Sequence, residues 1–131
     1  MRTLLPPGWP KPKGYANGVE LPIGRTIMTG GVVGWNEAEQ FESDAMIKQF
    51  AHTLRNIVAI LEAGKSQPHH IVRMTCYVTS IEEYLAGLKE IGAAWREIIG
   101  DHYPAMALVE VVRLVHPSAK VEIEATAVVP E

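Results

Sequence analysis

Glu122 and Glu124 are the two residues of this chain best placed to do chemistry together. They alternate in the run Val121-Glu122-Ile123-Glu124-Ala125, and alternate residues of a strand project to one face. Paired carboxylates on a face partly withdrawn from water suit acid–base work. The plainer reading of the same spacing is an ion pair with Arg73 or Lys120, or a solvated face. The other chemically capable groups are sparser. Thr29-Gly30-Gly31-Val32-Val33-Gly34 is glycine-rich, but it lacks the G-x-x-x-x-G-K-[ST] phosphate-loop pattern and no helix follows directly. It reads as strand that needs close backbone approach or carries a bulge, or as backbone lining a ligand. The histidines His52, His69, His70, His102 and His116 form no H-x-x-x-H pair, and Cys76 is the only cysteine, so neither metal nor cofactor is expected. Cys76 shares strand parity with Met74 and Val78 and is expected to pack as a small apolar residue.

The elements that position these groups follow from periodicity. Met1–Gly14 holds Pro6, Pro7, Pro10 and Pro12 and reads as an extended arm, because proline fixes φ and removes a donor. Val19–Ile23 and Thr26–Val33 flank Gly24-Arg25, which reads as a hairpin turn. Apolar residues at Met46, Ile47, Phe50, Leu54, Ile57, Val58 and Leu61 make one face of a helix over Ser43–Ala63, with Ser43 as start cap and Gly64 as left-handed close. His70–Thr79 alternates as a strand. Ser80-Ile81-Glu82-Glu83 is a capping box for a second helix that Gly100 closes. Met106–Arg113 and Ala119–Val129 complete an order β-β-α-β-α-β-β. The fold class is therefore α+β, with a single mixed sheet and two helices on one face.

The uncovered sheet face is expected to display Arg73, Thr75, Tyr77, Met106, Leu108, Glu110, Glu122 and Glu124. Apolar patches of that size are rarely left to water on a monomer, so cover by another copy is expected.

Composition bounds the function classes. The 131 residues fit one domain, spanning 1–131, and a chain of this size buries roughly two-thirds of its unfolded surface. Hydrophobic residues make up 47% and charged residues 21%, which excludes intrinsic disorder. A net charge of −3 argues against a general nucleic-acid binder. The N-terminal segment has Arg2, Leu4, Leu5 and then prolines, without a signal-like apolar stretch, and no run approaches a membrane span. A reduced, cytoplasmic protein with neither nucleic-acid nor membrane partners is the expectation.

Several runs together carry a family resemblance. Tyr103-Pro104-Ala105-Met106, Val109-Glu110-Val111 and Val121-Glu122-Ile123-Glu124-Ala125-Thr126-Ala127 resemble the signature of the reactive-intermediate deaminase (Rid, or YjgF) family, also called L-PSP endoribonuclease-like. Tyr15-Ala16-Asn17-Gly18-Val19, Thr29-Gly30-Gly31, Leu54-Arg55-Asn56-Ile57 and Val72–Thr79 match in order, so the resemblance covers residues 15–129. It implies a chorismate-mutase-like fold and a homotrimer with a ligand pocket at each subunit interface. It also implies hydrolysis of enamines and imines such as 2-aminoacrylate, with release of ammonia. A glutamate of the last strand, here Glu122, would position the attacking water. The family's Pro-Ala-Arg clamps the substrate carboxylate; here the motif reads Pro104-Ala105-Met106, and methionine cannot bind a carboxylate. Leu108 makes the pocket more apolar, and Gly92 stands where the family often has an asparagine.

Two functional readings follow. In the first, the pocket hydrolyses a C=N or related bond on a substrate that lacks the usual carboxylate or has it held elsewhere. Glu122 is then general base, while Tyr15 and the backbone at Gly30 and Gly31 bind substrate. In the second, the protein binds a small apolar or aromatic metabolite without turnover, through Tyr15, Trp35, Met106 and Leu108. Ribonuclease chemistry is disfavoured by the charge and by the lack of a placed histidine pair.

Overall fold

The computed structural model describes all residues, 1–131. The helical repeat of apolar residues becomes α1 (Met46–Ala63), and the Ser80 box opens α2 (Ile81–Ala86), where the Ser80 hydroxyl accepts the Glu83 N–H at 3.1 Å. The strands are β1 (Arg2–Leu4), β2 (Gly18–Glu20), β3 (Gly24–Met28), β4 (Val32–Val33), β5 (Ile71–Val78), β6 (Ala105–Glu110) and β7 (Val121–Pro130). β7 is the axis of a mixed sheet ordered β3-β7-β5-β6, and β4 pairs with β7 beyond β3. Only β5 and β6 run parallel, joined across the helices. The buried face of the sheet, from Met74, Cys76 and Val78 to Val121, Ile123 and Ala125, meets Phe50, Leu54, Ile57 and Leu61 of α1. The expected α+β sheet with its helical layer on one face is the architecture observed.

Local expectations needed correction. Residues 19–33 do not form a hairpin. Pro22 cannot donate to a ladder, so β2 ends at Glu20 and pairs with β1 of the arm, while β3 pairs with β7. Gly24 lies inside β3, where a Cβ would run into the Val129 carbonyl. The left-handed residue after α1 is Lys65 (φ 57°), not Gly64, and Ser43 bonds the Ala45 N–H without capping the helix directly. Gly100 does close its helix with φ 97°. The second helix is broken at Gly87, giving α2 and α3 (Leu88–Ile98), and the Ile47 side chain of α1 packs into the space that a Gly87 Cβ would need, at 2.5 Å.

The correction that matters most for function concerns β6. Met106 and Leu108 register with Met74 and Cys76, and the Met106 Sδ lies 3.9 Å from the Cys76 Sγ. Both therefore face the helices, not the open side expected for them. Glu110 follows the same parity, and its carboxylate accepts the Ile81 N–H at 3.0 Å at the start of α2. Ala105-Met106-Ala107-Leu108-Val109 is apolar at every position, so alternation cannot choose a face. The one polar residue, Glu110, is exposed yet bonded to a helix terminus, so its parity does not mark the open face.

Gly34 lets the chain after β4 lie on α1: a Cβ there would collide with the Gln49 carbonyl and stand 2.9 Å from the Thr53 Oγ1. Gly34→Ala is expected to lower stability by about 1–3 kcal/mol through overpacking against backbone. Urea denaturation at unchanged m-value is the measurement, and a midpoint equal to the parent's would refute it.

Candidate functional site

On the open sheet face, β7 presents Glu122 opposite Tyr77 of β5 and Val33 of β4. The neighbouring strand carries a bulge. Met28 pairs with Thr126 and Val32 with Ile123, so the path through Thr29, Gly30 and Gly31 has one residue more than the β7 segment it faces. Thr29 anchors this bulge twice: its N–H reaches the Ala125 carbonyl at 2.9 Å, and its hydroxyl accepts the Ala125 N–H at 3.0 Å. Gly31 is thereby pressed onto Glu122, whose carboxylate occupies the place a Gly31 Cβ would take. Gly31 is required here by close approach, since its φ is ordinary.

The two glutamates differ in their surroundings. Glu124 accepts the Tyr77 hydroxyl at 2.8 Å. That bond first, then desolvation and the negative charges of Glu124 and Glu122, push the Tyr77 phenol above its usual range. Glu122 has no ion pair: the chain's only ones are Arg2–Glu20 and Lys120–Glu83. Neither salt bridge expected for this carboxylate pair, with Arg73 or with Lys120, is formed.

On the opposite face, β6, α1 and α3 enclose a cleft of about 580 Å³. Met106 and Leu108 form its floor and Tyr15 of the arm one wall. Its other walls are two aromatic pairs. Trp95 stacks on Tyr103 at 6.1 Å and 9°, its indole N–H donating to the His102 carbonyl, and Phe50 meets Tyr84 at 6.1 Å. Tyr15 is held there because the Ala16 N–H donates to the Pro104 carbonyl at 2.9 Å and Ala16 bridges to Ala105. Below the floor, burial pushes the Cys76 thiol up to about 12, and burial, with Cys76 as a lesser cause, raises the Tyr84 phenol.

The matches to known proteins bear on this arrangement. The family model for Endoribonuclease L-PSP matches residues 10–129. This chain belongs to that family, the Rid/YjgF proteins. A 2-iminobutanoate/2-iminopropanoate deaminase of Escherichia coli K12 is 31% identical over 117 residues, covering 87% of this chain and 86% of its own. Among solved structures, the Rid-family protein YyfB of Yersinia pestis superposes with a TM-score of 0.84 at 27% identity, covering 98% of each chain. The YjgF protein of E. coli gives 0.67 at 30% identity, again over 98% of each.

In this Rid chain the expected site residues fall into three places. Glu122, Gly30 and Gly31 are together on the open face. Tyr15, Met106 and Leu108 are together in the cleft behind the sheet. Trp35 joins neither; it packs with Phe41 at 5.7 Å and His116 at 5.8 Å, and its carbonyl accepts from the Asn56 side chain. Sequence reasoning missed the cleft's aromatic walls and its cations Lys13 and Arg96. The spacing Leu88, Gly92, Trp95 marks one face of α3 and is the signal that would have found those on α3.

Proposed function

We propose that this Rid-family protein is a homotrimer that hydrolyses imines or enamines bearing an apolar or aromatic group, at a site shared between copies. The observation that carries the reading is the split just described. The binding cleft and the water-positioning carboxylate lie on opposite faces of one sheet, so a single chain cannot unite them, whereas a neighbouring copy can bring its Glu122 and Gly31 to the cleft mouth. The exposure of Met28 and Val109 on the open sheet face supports its cover by neighbours.

In the proposed reaction, Glu122 takes a proton from water as the oxygen attacks the C=N carbon, and the nitrogen takes up a proton. Collapse of the resulting carbinolamine yields a carbonyl compound and ammonia, with backbone N–H groups near Gly30–Gly31 polarising the reacting group. The 2-iminopropanoate chemistry in its relatives' names fits poorly, because Met106 stands where the family resemblance implies the carboxylate-binding arginine. Sedimentation should give a trimer; a stable monomer near 14.4 kDa would end the shared-site reading. Ammonia release should be faster from the imine of phenylalanine than from 2-iminopropanoate, each generated in place by an amino-acid oxidase or dehydratase, and equal inactivity on both would refute hydrolysis.

Met106→Arg should restore the small-substrate activity. A charge-assisted pair to carboxylate is worth roughly 1.5–3 kcal/mol, so kcat/KM on 2-iminopropanoate should rise by about ten- to a hundred-fold. No rise in a coupled dehydratase assay would show that the clamp is not what this cleft lacks.

A further inference from the structure

We propose that Arg96 is the anion anchor of the β6 cleft, and that the ligand is a carboxylate with an aromatic or bulky apolar body. This rests on the cleft being the binding site, as proposed above, and adds what it selects. The chain carries 15 acidic residues against 12 basic ones, yet the cleft lining contains Lys13 and Arg96 and no acid. Arg96 forms no ion pair. Its helix offers none: the positions one turn away on α3 and its end are Gly92, Ala93, Ile99 and Gly100, so no carboxylate stands at i±3 or i±4. A guanidinium without an acidic partner, at the mouth of an apolar cavity, leaves its planar fork free for a ligand carboxylate.

Gly92 gives the guanidinium room on the helix. Glycine inside a helix is unfavourable by about 1 kcal/mol relative to alanine, so it needs a local reason. A Cβ at Gly92 would stand 3.3 Å from the Arg96 Nη1. The missing side chain leaves the guanidinium room to lie back along α3, one turn from the stacked Trp95 and Tyr103. A ligand ring against those aromatics would direct its carboxylate towards Arg96, which lines the same cleft. The charge that Met106 does not supply from the strand is thus supplied from the helix, displaced outward, where it matches a longer ligand.

The test is calorimetric titration with phenylacetate and its neutral isostere phenylacetamide. The parent protein should bind phenylacetate more tightly than the amide. Arg96→Gln should weaken phenylacetate by about ten-fold or more, the loss of a charge-assisted pair, and leave phenylacetamide unchanged. Arg96→Lys should recover part of the loss, because a point charge replaces the fork. Unchanged phenylacetate affinity in Arg96→Gln, or equal loss of both compounds, overturns the anchor while leaving the cleft as a binding site. Failure of the parent to bind either compound overturns the cleft reading itself.

Discussion

Glu122→Gln is expected to reduce imine turnover by about 10²- to 10⁴-fold, the contribution of a positioned general base. Assembly and stability should hold. The amide keeps the shape of the carboxylate against Gly31, no ion pair is lost, and the side chain is not fully buried. What is lost is the capacity to accept a proton from water. Because the cleft and Glu122 lie on opposite faces, the variant should be complemented in mixed assemblies. Gly92→Leu fills the cleft mouth and is expected to be inactive alone. Refolded together in equal amounts, the two inactive variants should regain activity at about a quarter of sites, those pairing an open cleft with a neighbouring Glu122. Glu122→Gln with parental turnover would remove the carboxylate from the mechanism, and absence of complementation would remove the shared site.

The second large effect concerns Cys76. With the thiol at about 12 in place of its ordinary 9.0, the thiolate fraction at pH 8 falls by about a thousand-fold. The side chain is also wholly withdrawn from solvent beneath Met106. Iodoacetamide labelling of the folded protein, followed by mass spectrometry, should be slower than that of urea-unfolded protein by at least about that factor. Labelling at the unfolded rate would contradict the buried floor of the cleft. The same shift sets an alkaline limit. Its folded value is raised, so the stability it contributes is whole below pH 9.0 and is lost as pH rises towards 12, where the unfolded thiol ionises first. Tyr77, raised in the same direction, steepens the decline.

The helices and strands were legible because each buries one face of an alternating or 3.6-residue pattern; β5 and β7 read correctly to within a residue or two. What failed did so for local physical reasons. β6 is apolar on both sides, so its parity was set by neighbours that no sequence period reveals, and Met106 and Leu108 were assigned to the wrong face. Spacing alone offers the pair Glu122/Glu124 and the glycine-rich run as candidates; the choice of Glu122 within the pair comes from the family resemblance. The bulge that joins them depends on a register between β3, β4 and β7 that pairs residues about a hundred positions apart. Trp35 suits an aromatic ligand by residue type alone, whereas here it completes a small aromatic cluster with Phe41 and His116.

The bridge between Ala16 and Ala105 also bears on how the protein behaves in a crowded solution. β6 is the last strand of its sheet and is apolar along nearly its whole length, the kind of margin onto which a stray strand from another molecule can add. The arm meets that margin only at its beginning, through the Ala16–Ala105 bridge, and Pro10 and Pro12, which lack an N–H, cannot donate to a ladder there. A segment that serves as a pocket wall thus also guards the start of this edge. Its high proline content, poor material for a core, is well suited to that second duty.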